Sequence, residues 1–451
     1  MDLGRCGESP VCIFSVLMMA WMRDIAPKVL LRLAVGVLVF FVANIWYVSS
    51  GLRNEERLKF SPVAGKLDSA FLHGDVVYLG ESSNTSFNPW TDTFGYSVSE
   101  FLQMYLPQNR VRGVSHDGYH VGLFSQMLGL MPEHWADSSR KTVVITVNMR
   151  SFGPSAMFNG NEASNQQEAI FYSHRMALLN RVFVSLHHYD SRDAREMERA
   201  KTQWFRTKDL RLNGGAGNHY GNTHGDGGMV SKGEEFFYHN TVKWWLRDLQ
   251  RQFAPVSGDV DLARVMPMAE AYLKEFAFLL DEENPRVQAL DAIVEKCKRE
   301  QVNVVFVLLM PNYDHANRLF GEELTQLMDY NMDFLRKRFA GWEKEYKQGD
   351  FKVGYVDVPR AYGAWAGGEH YTDQWYPTEH VDAHIRQFIA KKTAEKILAF
   401  QYMDRIQTGV TKPMVPEIKP SVNNLPNWNI KMPMADTCLA TWNGFRGKHL
   451  R

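Results

Sequence analysis

Cysteine is scarce in this chain: four residues in 451. That excludes a disulfide-dense secreted scaffold. No Cys-x-x-Cys pair and no Cys/His spacing points to structural zinc. Cys6 and Cys12 precede the apolar run described below, Cys297 falls on an amphipathic stretch and Cys438 lies in the tail. A Cys297–Cys438 bridge is compatible with export, but nothing in the spacing supports it. An excess of charge is missing too. Lys+Arg and Asp+Glu both number 51, a net charge of zero, which argues against bulk nucleic-acid binding. The mean hydropathy of −0.33 excludes a polytopic membrane protein. Apolar content of 45% and charged content of 23% exclude global disorder. There is no internal repeat of fixed period.

One long apolar run is present. Residues 29–48 read VLLRLAVGVLVFFVANIWYV, twenty residues or about 30 Å of helix, enough to cross a bilayer core. Arg32 near one end can snorkel, and Trp46 and Tyr47 at the other are interfacial aromatics. A cleaved signal peptide needs a shorter core and a small-residue cleavage site; the bulky IWYVSSGL stretch favours an uncleaved signal anchor over that, and over a buried core helix. Arg23, Lys28 and Arg32 precede or enter the run while Arg53, Arg57 and Lys59 follow it, so the positive-inside rule barely discriminates. A large domain behind one N-terminal anchor is most simply exported, to the periplasm or the exterior. Residues 11–22 are apolar but too short to span, and a start at Met22 gives a compact basic leader.

The spacing predicts five regions: an N-terminal cytoplasmic segment (1–28), the anchor (29–48), a polar tether (49–70), an α/β domain (71–400) and an extended Pro/Asn-rich tail (401–451). Within the domain, GDVVYLGESS, KTVVITVNMR (141–150), VNVVFVLLMPN (302–312) and FKVGYVDVP (351–359) read as buried strands. Amphipathic helices are expected at 95–106, 120–131, 286–300 and 321–347. Strands separated by helices imply a parallel sheet in a three-layer α/β sandwich. About 150 residues separate the second strand from the third, more than one crossover needs, so 155–285 reads as a helical insertion. Its aromatics Phe236, Phe237, Tyr238, Trp244 and Trp245 fit a core better than a ligand box. The Gly-rich stretch 213–228 lacks the Lys-Ser/Thr of a phosphate loop. Its His219, His224 and Asp226 form a metal-ligand candidate set, but a bland loop accounts for them better.

Ligands of parallel sheets bind at the carboxyl ends of the strands. There the sequence places Ser82, just after a strand and after Gly80, and Asn148, at the end of VVITVN. Ser82 is not in a G-x-S-x-G elbow. Gly118, in VRGVSHDGYHVG, lets a backbone N–H approach an oxyanion. His380, in YPTEHVDAHIRQFIA, stands at the start of a C-terminal helix. A serine nucleophile needs a nearby base and donors for the developing oxyanion, and these four residues fill those roles. His370 and His384 are competing bases. Asn312 and Tyr313 in MPNYD, with Arg150 and Arg112, are candidate substrate contacts. Asn84-Thr85-Ser86 is a formal glycosylation sequon that overlaps the proposed site.

Taken in order, these motifs resemble the SGNH (GDSL-like) hydrolase superfamily over about 75–398, the insertion aside. GES at 80–82 is similar to its first block with Glu81 where Asp is commoner, and Gly118, Asn148 and His380 match the later block residues, although VNMR departs from Gly-x-Asn-Asp. The resemblance implies an α/β sandwich of flavodoxin-like type. It implies Ser82 as nucleophile, His380 as general base, and Ser82 N–H, Gly118 N–H and the Asn148 side chain as oxyanion hole. The family's acid stands three before the histidine, where this chain has Pro377. Asp373 is favoured as the residue that orients His380, with Glu379, Asp382 or a Ser–His dyad as alternatives. Under another register Tyr376 takes the place of the histidine. The function implied is a membrane-anchored serine esterase or O-acyl(acetyl)transferase, without metal or cofactor, acting on an acylated cell-surface glycan or related ester, with a membrane-bound acyltransferase as one partner class. The rival from another class is a catalytically weak scaffold that binds a glycan or assists such an acyltransferase.

Overall fold

The runs VVYLG, TVVITV and NVVFVL are buried along their whole length. Continuous β-branched strands of this kind belong to the centre of a parallel sheet covered on both faces. The computed structural model describes residues 26–87, 92, 94–132, 135, 141–157, 165, 168–172, 177–185, 262–347, 349–363, 367–372, 376–405 and 415–417.

In chain order the described elements are α1 (Ala26–Ser49), α2 (Leu52–Phe60), α3 (Ala64–His73), β1 (Val76–Gly80), α4 (Val98–Tyr105), β2 (Val111–Ser115), α5 (Val121–Met127), β3 (Thr142–Val147), the short α6 (Pro154–Met157), α7 (Ala177–Ser185), α8 (Leu262–Phe276), α9 (Pro285–Arg299), β4 (Asn303–Leu308), α10 (Tyr313–Phe320), α11 (Glu322–Glu345), β5 (Val353–Asp357), α12 (Val358–Tyr362) and α13 (Ala383–Arg405). The five strands form one sheet in the order β2-β1-β3-β4-β5, and every pairing is parallel. α1 is long and apolar enough to cross a membrane.

Alternation along the strands splits the apolar interior in two. Val77, Leu79, Val143, Ile145, Val304 and Phe306 face a cluster with α5, α9 and α11. Val76, Tyr78, Val144, Val305 and Val307 face a second cluster with α4 and α13. Cys297 lies in the first cluster, where burial pushes its thiol up to about 12.

Helix ends follow local chemistry. Ser97 and Glu100 close a capping box at α4. Asn284 caps α9, with Pro285 at its first position and Lys296, Lys298 and Arg299 in its last turn.

β2 is the strand that the spacing does not predict. VRGVS is broken by Arg112 and Gly113, and as an edge strand it alternates between buried and exposed positions. Gly113 has a packing reason, since a Cβ there would lie 2.8 Å from the Ser99 Cβ at the start of α4. Of the 155–285 stretch, residues 186–261 lie outside the described residues, and with them the aromatic cluster and the His219, His224 and Asp226 set. Cys6, Cys12, Cys438 and Met22 are likewise outside.

Candidate active site

The sheet register brings three loops to one level. Leu79 pairs with Val114 on one side and with Ile145 on the other. Ser82 and Asn148 each follow that rung by three residues, and Gly118 by four. Ser82 heads a single 3-10 turn, Ser82–Asn84, where the first N–H groups have no partner within the turn. The turn is tied down from below. Asn84 is buried; its amide donates to Ser99 Oγ at 3.2 Å and Ser115 Oγ at 3.0 Å, and its Oδ1 accepts the Ser99 N–H at 2.9 Å. The sequon asparagine is thus spent inside the fold.

His380 arrives from the far end of the chain. Tyr371 and Val381 form an antiparallel bridge, and the Thr372 N–H donates to the His380 carbonyl at 2.9 Å. The start of α13 is then pinned by a buried ion pair. Arg386 reaches Asp92 with two nitrogens at 3.1 Å and also donates to the carbonyls of Val381, Tyr96 and Phe94. Asp92 in turn accepts the Ala383 N–H at 2.5 Å. This clamp sets His380 three residues before the fixed first residue of α13, Ala383. Across 298 positions of sequence, Ser82 Oγ lies 2.7 Å from His380 Nε2, and both residues are partly exposed.

A second partner competes for the same hydroxyl. Ser82 Oγ is 2.8 Å from Glu81 Oε2. A serine has one proton to donate. Either it goes to Glu81 and His380 supplies an Nε2–H to Oγ, or it goes to His380 and Glu81 carries the proton. Glu81 and Glu379 are both buried, and one guanidinium serves them: Arg150 Nε lies 2.8 Å from Glu379 Oε2. Burial pushes the Glu379 carboxyl up to about 7; the neighbouring Glu81 adds to the rise, while Arg150 and His380 oppose it. Arg150 is held further toward its charged form by Glu379, Glu81 and Glu275, against its own desolvation.

The remaining expected residues divide as follows. Asn148 is buried at the end of β3, and its Oδ1 has no hydrogen-bond partner among the described residues. Gly118 sits in an exposed turn at φ +75°, a conformation that favours glycine, and its carbonyl accepts from Asn165 at 3.1 Å. Asp373 lies outside the described residues, although the residue before it is bonded to His380. Asp382 pairs with His370 at 2.7 Å and accepts the Ile385 N–H at 3.0 Å, so its partner is a different histidine. His384 is exposed beside Phe94, and Tyr376 is exposed with its carbonyl accepting from Tyr272. Asn312, Tyr313 and Arg150 were expected to touch substrate. Asn312 is buried and caps α10, the buried Tyr313 donates to Asp329 at 3.0 Å, and Arg150 is occupied by Glu379. Arg112 is exposed on β2. Glu81 as a serine partner and the Asp92–Arg386 clamp escape a reading by motif. The signal for Glu81 is a carboxylate directly before Ser82; Asp92 and Arg386 carry none.

Compared with models of known protein families and with curated proteins, the chain matches none.

Proposed function

We propose that this chain is a membrane-anchored serine esterase or O-acyltransferase of the SGNH type, with a three-layer α/β sandwich, acting on acyl esters of a cell-surface glycan or related polymer. The observation that carries the reading is the 2.7 Å contact between Ser82 Oγ and His380 Nε2 beyond the carboxyl ends of a parallel sheet ordered β2-β1-β3-β4-β5. That strand order is the flavodoxin-like one, whose ligands bind at that edge.

In this reading His380 takes the Ser82 proton as Oγ bonds to the acyl carbon. The Ser82 and Gly118 N–H groups and the Asn148 amide stabilise the oxyanion. The C–O bond to the leaving alkoxide then breaks, and that oxygen receives the proton from His380. Water or an acceptor hydroxyl gives its proton to His380 and attacks the acyl carbon; the bond to Ser82 Oγ breaks, and His380 returns the proton to that oxygen. Asp373 orients His380; in support, its sequence neighbour Thr372 donates its N–H to the His380 carbonyl. The productive state has the Ser82 proton directed to His380, so Glu81 either carries a proton or turns away. α1 holds the domain to the membrane, on the exported side.

A fluorophosphonate probe tests this. The full-length protein should label, and Ser82→Ala should not. Labelling that survives Ser82→Ala, or folded protein that never labels, overturns the reading; the second result favours the non-catalytic scaffold.

A further inference from the structure

α7 does not sit with the sheet. Its first turn packs on α1, and the Leu178 N–H donates to Asn44 Oδ1 at 2.9 Å. Asn44 is five residues before the end of α1, so the contact lies about 7 Å inside it at 1.5 Å per residue. One turn further along α7, Arg181 pairs with Glu56 of α2 at 2.7 Å. Tyr47 of α1 donates to the same Glu56 at 2.5 Å. The Arg181 guanidinium also lies over the Phe60 ring, and Phe60 stacks on Phe171 at 4.9 Å. The charged groups therefore meet at the level where α1 leaves its apolar run. Around them, Leu52, Phe60 and Val182 are exposed, Val182 by 42%. They continue the exposed apolar surface of α1, whose Val42, Ile45, Trp46 and Val48 are likewise uncovered.

From this continuity we infer that α7, with Leu52 and Phe60, is a second membrane contact: an in-plane element seated in the lipid headgroup–acyl boundary of the leaflet from which α1 emerges. A polar backbone N–H at the start of a helix is costly in that setting unless paired, and Asn44 supplies the partner. The paired Arg181 and Glu56 sit where headgroups and water begin. The surface fits a bilayer because Leu52, Phe60 and Val182 expose apolar side chains level with the end of a spanning helix, with the exposed Asn54, Glu55 and Lys59 of α2 left to the headgroups and water. The element belongs to the same stretch as Asn165 and Glu168, which reach Gly118 and Tyr119 beside the candidate site. The bilayer thereby fixes the height of that site above the lipid. The inference rests on the reading of α1 as a membrane span.

The test uses the full chain in phosphatidylcholine vesicles, with Cys6, Cys12 and Cys438 replaced by Ser and the buried Cys297 left in place. A bimane label is placed in turn through Val182→Cys, Leu52→Cys, Phe41→Cys and Tyr330→Cys. Each is read against lipid carrying a nitroxide near the headgroup and against aqueous iodide. We expect the nitroxide to cut the signal at 182, 52 and 41 by about half, and iodide alone to reach 330. Quenching at 41 with iodide reaching 182 overturns the inference and leaves the anchor standing. No lipid quenching at 41 overturns the anchor reading and the inference with it. Protection of 182 from both quenchers also overturns it, because a protein partner then covers the surface. If Val182→Cys does not fold, Leu52→Cys decides by the same criteria.

Discussion

At the scale of single residues, the candidate site is a problem of too few protons and one too many carboxylates. Ser82 has one hydrogen and two acceptors, Glu81 at 2.8 Å and His380 at 2.7 Å. Glu379, adjacent in sequence to His380, is buried and shares Arg150 with the field of Glu81. Burial pushes its carboxyl up to about 7 in the folded protein, well above the usual carboxylate range. A carboxyl whose folded value is raised holds its proton more tightly in the native state. Its stabilising contribution is therefore complete below the unfolded value and is lost as pH climbs through the folded one. Melting temperature should fall between pH 5 and pH 8 in the wild type. Glu379→Gln should flatten that fall, even where it lowers stability overall by releasing Arg150. Thermal unfolding across that range, measured on both proteins, checks this; an unchanged slope in the variant means that Glu379 does not titrate there.

At the scale of elements, the position of His380 is decided by a clamp rather than by its own neighbours. Asp92 and Arg386 are both wholly buried, and Arg386 spends its guanidinium on the carboxylate and on three carbonyls. Removing one member leaves an uncompensated buried charge. Arg386→Ala should cost about 3–5 kcal/mol. Arg386→Lys should recover only part, because an ammonium cannot reproduce the planar fork. Denaturant unfolding gives the magnitude. Loss of Ser82 labelling before the midpoint would show that the clamp holds the histidine as well as the fold. This clamp was invisible in the sequence, because Asp92 and Arg386 are 294 residues apart and fit no spacing rule. What was legible was local. β1, β3 and β4 could be read because strands buried on both faces are continuously apolar, and α4 and α9 because their apolar residues recur at helical spacing. β2 was hidden because an edge strand needs only Val111 and Val114 buried. Ser82 and His380 could be nominated from strand ends and helix starts. Their hydrogen bond, and the diversion of Asp382 to His370, depend on how the 371–381 hairpin closes.

At the scale of the whole molecule, the segments that follow α1 and the sheet edge meet at one buried carboxylate. Glu168 accepts from Tyr119 at 2.6 Å and 2.8 Å, from Tyr172 at 2.5 Å and from Ser61 at 2.5 Å. Those hydroxyls come from the α2–α3 junction, the turn after β2 and the stretch that leads to α7. A buried carboxylate is tolerated when hydrogen bonds satisfy it, and here hydroxyls from three separate segments do so. Glu168→Ala leaves donors buried without their acceptor, at about 1–3 kcal/mol for each one that finds no substitute. The Ser61–Tyr172 contact at 2.6 Å can retain one of them, so the loss should be concentrated on Tyr119. Hydrogen exchange in the variant should rise together at 61–64 and 118–122, and fluorophosphonate labelling of Ser82 should slow, because Gly118 is the residue before Tyr119. If exchange rises at 61–64 alone with labelling unchanged, the carboxylate supports the α2–α3 junction without reaching the site. If both segments loosen while the β3 and β4 amides stay protected, the network couples the α2–α3 junction to the candidate oxyanion loop while leaving the central sheet intact.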